Sequence, residues 1–243
     1  MAQQDLLAKT LVELADNLVT EFDVVDLMSL LADRSVELLD ASAAGLMLVD
    51  SRGSLQVMAA STEAVHLLEL FQLQNEEGPC LDSFQSGRPV TAYDLHEENR
   101  WPRFSVEAVA AGFRSVYAFP MRLRNQVIGA LNLFRTGASR LNESDVLLAQ
   151  AMADVATITV LQERVTRDAH ALSEQLQFAL NSRIVIEQAK GVVAEQAGVP
   201  VEEAFVLLRT HARRNNRRLT ELADDVINGR VSIVAKGPVA GSS

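Results

Sequence analysis

A single cysteine, Cys80, stands in a chain of 243 residues, so no intrachain disulfide framework staples this fold. Four scattered histidines, His66, His96, His170 and His211, together with that one thiol lack the spacing of a zinc tetrad. No glycine-rich phosphate loop and no GxSxG elbow occurs either. Catalysis therefore has no recognisable centre, and the chain is expected not to be an enzyme and to hold no metal; any cofactor is unknown. The pattern shows no signal-peptide h-region and no apolar run of about 18 residues. The expectation is a soluble, cytoplasmic protein without a membrane partner. Glycine and proline are also missing from Ser144 to Lys190, which permits one long helical stretch.

What is present is ample apolar material. Hydrophobic residues make up 48% of the chain, enough for a sizeable core in one to two domains. Charge is unevenly distributed: residues 1–171 carry 13 Lys plus Arg against 24 Asp plus Glu, net −11, and residues 172–243 carry 9 against 8, net +1. The acidic part is a poor surface for nucleic acid, which turns attention to the C-terminal part.

Two helical patterns, LLAKTLVELADNLV and DVVDLMSLLADRSVELL, open the chain on either side of Glu21-Phe22-Asp23. The period then becomes sheet-like in AAGLMLVD and LQVMAAS, joined by Ser51-Arg52-Gly53-Ser54, a hairpin whose Gly53 can take positive φ. A helix over 63–73 leads to a long connection, residues 75–104, expected to be mostly irregular because it holds three of the six prolines. The small-residue helix VEAVAAG follows. SVYAFPMRLRNQVIGALNLF then reads as two strands around Arg124-Asn125-Gln126. At least four antiparallel strands with helices on a face make this an α+β unit.

Positions 155, 158, 162, 165, 169, 172, 176 and 179 step alternately by three and four and read Val, Ile, Gln, Val, Ala, Leu, Leu, Ala. Such spacing is the seam of a coiled coil, and a parallel homodimer is the natural inference. Residues 145–161 alternatively pack on the sheet of their own domain, leaving 162–180 as the seam. Asn181-Ser182 is expected to cap a new helix after a bend.

The last quarter divides into three helical segments. Ile186, Ala189, Val193 and Ala197 make the stripe of the first, which Gly198 stops. Pro200 and the carboxylates Glu202 and Glu203 suit the first turn of the second. Its buried side carries Phe205, Leu208 and Ala212, and Asn215-Asn216 accepts the left-handed backbone of a helix exit. Thr220 is expected to cap the third, whose stripe is Leu222, Ala223, Val226 and Ile227 before Asn228-Gly229. Arg209, Arg213, Arg214, Arg217 and Arg218 fall within ten residues. Guanidinium forks bind phosphate bidentately and stack on unpaired bases, so this is a candidate nucleic-acid surface, which Arg183 and Lys190 can join. The alternative is a solvated face, partly paired with Glu202, Glu203, Asp224 and Asp225. Gly191 inside a helix implies either close approach by a partner or a helix-packing contact.

The pattern SRIVIEQAKG, then AF..LR..ARRNN, then RLTELAD.VI.G resembles the ANTAR domain, a three-helix RNA-binding module of antitermination regulators. The resemblance implies binding to a two-hairpin element of nascent mRNA, which prevents a downstream terminator from forming. It makes Arg183, Lys190, Gly191, Arg209, Arg213, Asn216 and Arg217 the candidate RNA-binding residues. GPCLDSFQSGRPV, RWPRF and GFRSVYAFPMRLRNQVIGALNLF resemble a GAF sensor domain, which holds a small ligand between its sheet and connecting loops or serves as a dimerisation scaffold. Cys80 is then the ligand-sensing candidate, as a reactive thiol or a contact residue, against the alternative of a small buried hydrophobe. The Asn-Lys...Phe...Asp-Glu pattern of cyclic-nucleotide-binding members is missing. Leu81 stands where bilin-binding members usually follow their cysteine with histidine. Trp101 is read as a packing anchor.

The expected organisation is a GAF-like domain with N-terminal helices over 1–160, a coiled-coil linking helix over 161–180, a three-helix ANTAR domain over 181–233, and a disordered tail over 234–243. The expected function is a dimeric antitermination regulator with RNA and a second copy as partners and an unidentified small ligand as signal. The alternative is a DNA-binding regulator with a helix-turn-helix-like output. That alternative would place carboxylates, Glu202 and Glu203, at a helix start facing phosphates.

Overall fold

The computed structural model describes residues 6–10, 12–13, 23–138 and 140–233. The Glu21-Phe22 hinge and the expected disordered tail lie outside the described residues. Contacts divide the chain into two compact units, 1–166 and 167–243.

In the first unit, helix α1 (Val24–Leu38) starts on Asp23, whose side chain accepts the Val25 N–H at 2.7 Å. Strands β1 (Ala43–Val49) and β2 (Leu55–Ala60) form the expected hairpin, and Gly53 takes φ 81° at its tip. Helices α2 (Glu63–Asn75) and α3 (Pro79–Ser86), strand β3 (Val90–Ala92) and helix α4 (Pro102–Ala110) follow. Half of the stretch expected to be mostly irregular is thus helix or strand, while residues 93–101 are irregular as expected. Its prolines start helices instead of excluding them, since Pro79 and Pro102 occupy first turns whose N–H groups need no partner. Strands β4 (Ser115–Leu123) and β5 (Gln126–Arg135) turn at Arg124, φ 55°. The sheet order is β2-β1-β5-β4-β3, antiparallel throughout.

Both faces of this sheet are covered, which explains why β1 is buried almost without alternation. Leu46 and Leu48 face a core shared with Leu27 and Leu31 of α1 and with Met152, Ala156 and Val160 of the helix α5 (Glu143–Ala197). On the opposite face Ala43 and Phe134 pack with Val65 and Leu68 of α2 and with Trp101 and Phe104. Arg164 of α5 donates to the Val49 carbonyl at 2.7 Å, tying the helix to the end of β1.

Helix α5 has 55 residues and runs through Asn181-Ser182 without the expected new start. There Asn181 accepts a hydrogen bond from the Gln177 amide one turn earlier, at 3.2 Å, so its side chain is spent along the helix rather than on a cap. One 18-residue window of α5 reaches a mean hydropathy of 1.4, against the expectation that no such run occurs. Its apolar residues include Ala149, Met152, Ala153, Ala156 and Val160, which are buried on the sheet. Of the expected seam, Val155 packs partly buried against the core of the first unit, and positions 158, 162, 165, 169, 172, 176 and 179 are exposed.

In the second unit the C-terminal turns of α5 pack with α6 (Val201–Arg214) and α7 (Leu219–Ile227) around Ala189, Val193, Ala204, Leu208, Leu222 and Val226. Gly198 at φ 64° ends α5 and Asn216 at φ 49° ends α6. Thr220 does not cap α7. The cap is Arg218, without a side-chain hydrogen bond, and Leu219 already lies in the helix because it packs against the small core.

Gly129 of β5 faces the Met47 carbonyl of β1 so closely that a methyl group would drive into backbone. Neither strand can yield, since each is paired on both sides. Gly129→Ala is therefore expected to destabilise the first unit by about 1–3 kcal/mol, the usual cost of overpacking, read as a lower urea midpoint with an unchanged slope.

Candidate functional site

The basic residues of the second unit sort into two groups by what they touch. Lys190 donates to Glu187 at 2.8 and 3.0 Å, and its ammonium sits 5.6 Å from the centre of the Phe205 ring. This contact lies beside the buried Ala189, Val193, Ala204 and Leu208, which join α5 to α6. Phe205, expected on the buried side, is half-buried, with that cation over its face. Arg209 and Arg213 follow Phe205 at successive four-residue steps, and Arg183 precedes Lys190 by two turns. Arg183, Lys190, Arg209 and Arg213 therefore lie along one band crossing the two helices.

Arg183, Arg209, Arg213 and Arg214 are exposed and have no ion pair among the described residues. Arg217 differs: it pairs with Asp225 at 2.5 Å, and Arg230 pairs with Asp225 at 3.0 Å. The two guanidinium groups hold the Asp225 carboxyl below its ordinary value, Arg217 contributing most through its hydrogen bond. Arg217 and Asn216 thus build the corner between α6 and α7. Arg217, Thr220, Glu221, Asp224, Asp225 and Arg230 line an open hollow of about 490 Å³. Gly191 is exposed, and a methyl group placed on it would meet nothing within 4 Å. Among the described residues no other helix packs against Gly191.

In the first unit Cys80 is fully buried beside Met47 and Ala130. Its backbone N–H donates to Gln72 Oε1 at 2.9 Å, and Sγ lies 3.9 Å from the Ala130 carbonyl. Burial, reinforced by the nearby Glu69, pushes the thiol well above its ordinary range. As placed, Cys80 has the environment of an inert buried thiol. Trp101 is buried, donates from Nε1 to Asp82 at 2.9 Å, meets Phe104 edge-on and carries the Arg100 guanidinium on its face. His66 and His96 are exposed. Among the described residues no group of three or more His, Cys, Asp or Glu side chains is placed to hold a metal.

The feature that sequence reasoning missed is Glu69. It is fully buried over the Gly45–Asn132 strand pair. Its two oxygens accept from the Asn132 and Gln72 side-chain amides, each at 2.8 Å. Gly45 makes the room, because a methyl group there would overlap the Glu69 carboxyl. The available signal was spacing: Val65, Glu69 and Gln72 share one helical face, and that face is the one α2 buries.

A GAF domain model matches residues 23–160 and an ANTAR domain model matches residues 174–227, in that order. The chain belongs to the GAF-ANTAR regulators. The GAF domain carries the five-stranded sheet, and the ANTAR domain starts within α5. The fold of the GAF domain recurs in solved structures. One is the GAF domain from Acinetobacter phosphoenolpyruvate-protein phosphotransferase, at 14% identity and TM-score 0.53 over 68% of this chain and 95% of that one. Another is the GAF domain of a phosphoenolpyruvate-protein phosphotransferase from Coxiella burnetii, at 15% and 0.51 over 67% and 96%. A third is the free methionine-R-sulfoxide reductase from Neisseria meningitidis in complex with its substrate, at 18% and 0.52 over 68% and 91%. No curated protein matches the chain by sequence. ANTAR domains bind RNA and GAF domains sense signals, so the pairing is that of a signal-responsive regulator.

Burial of Cys80 in the GAF domain has a direct chemical consequence. In the native chain at pH 8, iodoacetamide is expected to leave Cys80 unmodified on the timescale that alkylates it fully in urea, as read by intact mass. Rapid native alkylation would show a thiol open to solvent.

Proposed function

We propose that this regulator binds paired hairpins of nascent mRNA through the band Arg183, Lys190, Gly191, Arg209 and Arg213, and so prevents a terminator hairpin from forming. The observation that supports the reading is the seating of Lys190 on Phe205, which brings a cation of α5 beside the helix that carries Arg209 and Arg213. Exposed, unpaired guanidinium groups suit hairpin loops, whose phosphates and splayed bases both accept them. The glycine at position 191 brings no internal packing, and a bare backbone there allows an RNA strand to approach closely. Arg217 and Asn216 support the band by holding the turn behind it.

The working unit in this reading is a parallel homodimer joined through residues 155–180. Val165, Leu172 and Leu176 are 64%, 56% and 63% exposed, apolar area that a second copy of the same helix would cover. The protein acts in the cytoplasm, without catalysis of its own, and the GAF domain, Cys80 region included, receives the signal.

The deciding experiment compares a hairpin-pair RNA with duplex DNA of equal length in a gel shift, using wild type and the Arg209→Ala, Arg213→Ala double variant. Each charge-assisted contact contributes about 1.5–3 kcal/mol, so the double variant should bind the RNA at least about a hundredfold more weakly while staying folded. The slope of log affinity against log salt should flatten by about 1.4, from about 0.7 for each single-strand phosphate released. Preference for duplex DNA would instead support a helix-turn-helix output, and unchanged RNA binding would return the arginines to a solvated face.

Charges on the seam test the dimer separately. Leu172→Glu with Leu176→Glu is expected to convert a micromolar dimer to monomer by sedimentation without loss of the GAF fold. A wild-type chain that is monomeric under those conditions would remove the coiled coil.

A further inference from the structure

Glu69 is the only acidic or basic side chain among the described residues that is buried from solvent. The groups around it form a closed set. Gln72 Nε2 and Asn132 Nδ2 donate to its two oxygens, Gln72 Oε1 accepts the Cys80 N–H, and Gly78 gives Gln72 its space. This set joins α2, β5 and the start of α3. Two amide donors offset only part of the hydration that a carboxylate loses, and burial pushes the acid up to about 8.

A neutral Glu69 needs an acceptor for its own proton, and one is already present. Asn132 Oδ1 is buried and has no hydrogen-bond partner. A half-turn of the Asn132 amide exchanges Nδ2 for Oδ1 against Glu69, so that the acid O–H donates where the carboxylate formerly accepted. Two hydrogen-bond arrangements of one set of side chains thus differ by one proton.

We propose that Glu69, Gln72 and Asn132 form a proton-operated switch in the GAF domain: uptake of one proton from solvent by Glu69 turns the Asn132 amide and fixes α2 and the start of α3 on the sheet. Release of that proton leaves a buried carboxylate without a cation and loosens the same contact. The sensed input is the proton itself. No positive side chain competes for Glu69. β1 and β2 contribute no titratable group, β5 presents Asn132, and α3 presents the neutral Cys80 thiol, while Asp82 is engaged by Trp101. Arg103 and Glu107 of α4, and Glu63 and His66 on α2 itself, are exposed. Glu77 is taken up by the Arg103 and Phe104 N–H groups.

Because the folded-state value lies above the ordinary 4.5, the contribution of Glu69 to stability is complete below about 4.5 and is lost as pH rises through about 8. The test uses the full chain with ¹³C-labelled glutamate carboxyls. One glutamate should titrate near pH 8, and Glu69→Gln should remove that signal alone. Hydrogen exchange of residues 63–80, corrected for intrinsic rate, should lose about tenfold or more protection between pH 6 and pH 9 in wild type and stay flat in Glu69→Gln. Every glutamate titrating below pH 6 would overturn the proposal, as would a variant that keeps the wild-type pH dependence. If the variant does not fold, the wild-type carboxyl titration decides alone. Neither readout involves RNA, so the switch stands or falls independently of the antitermination reading.

Discussion

Unbroken backbone hydrogen bonding along α5 is the constraint on which both domains depend. Met152, Ala156 and Val160 close one face of the GAF sheet, and Ala189 and Val193 lie at the centre of the ANTAR core. One helix supplies both sets, so neither core forms without it. A proline inside such a helix costs about 3 kcal/mol and a glycine about 1 kcal/mol, and the sequence has neither from Ser144 to Lys190. Between the two buried sets, residues 165–181 are exposed throughout. A helix in that condition gains nothing from tertiary packing within the described residues of its own chain, so its length rests on helix propensity and, in the proposed dimer, on its apolar seam.

Much of this architecture was legible because turns are written in local chemistry. Gly53, Arg124, Gly198 and Asn216 all take positive φ at the positions where sequence patterns end. The stripes of the three C-terminal helices were equally readable, because burial there follows period 3.6. Boundaries were lost where a side chain had two possible uses. Asn181 resembles a cap but pairs along the helix with Gln177, and Thr220 resembles a cap but stands beside Leu219, whose burial draws the helix start earlier. The prolines at 79 and 102 misled in the same way, as breakers that act here as first-turn residues.

Glu69 was illegible for a different reason. An acidic residue in an amphipathic helix is ordinarily on the wet face, and the only local sign against that here is its spacing from Val65. Its burial depends on Gly45 and Asn132, partners that strand pairing brings together from 87 positions apart in the chain. Only the β1–β5 register reveals that a missing methyl group and an amide lie beneath the same helical residue. Cys80 shows the converse. It drew notice as the lone thiol, yet its burial removes the exposure that thiolate chemistry requires, and its backbone N–H, not its sulfur, makes the strong contact to Gln72.

The ANTAR surface shows how the same residue type divides between structure and recognition. Asp224 and Asp225 engage Arg230, and Asp225 also engages Arg217, so the acidic end of α7 is neutralised within the domain. Among the described residues no carboxylate plays that part for Arg209 or Arg213, although Glu202 and Glu203 stand on the same helix, because those carboxylates lie in its first turn, where the helix dipole favours them. Charge is thereby separated along α6: carboxylates at its start and guanidinium groups toward its end. Lys190, drawn to Phe205 and Glu187, marks where the neighbouring helix extends the positive end. Gly191, the next residue, gives up about 1 kcal/mol of helix stability relative to alanine and receives no packing in return. On the proposed reading, that cost is met by nucleic acid lying against bare backbone, near the guanidinium groups of Arg183, Arg209 and Arg213 that have no ion pair among the described residues.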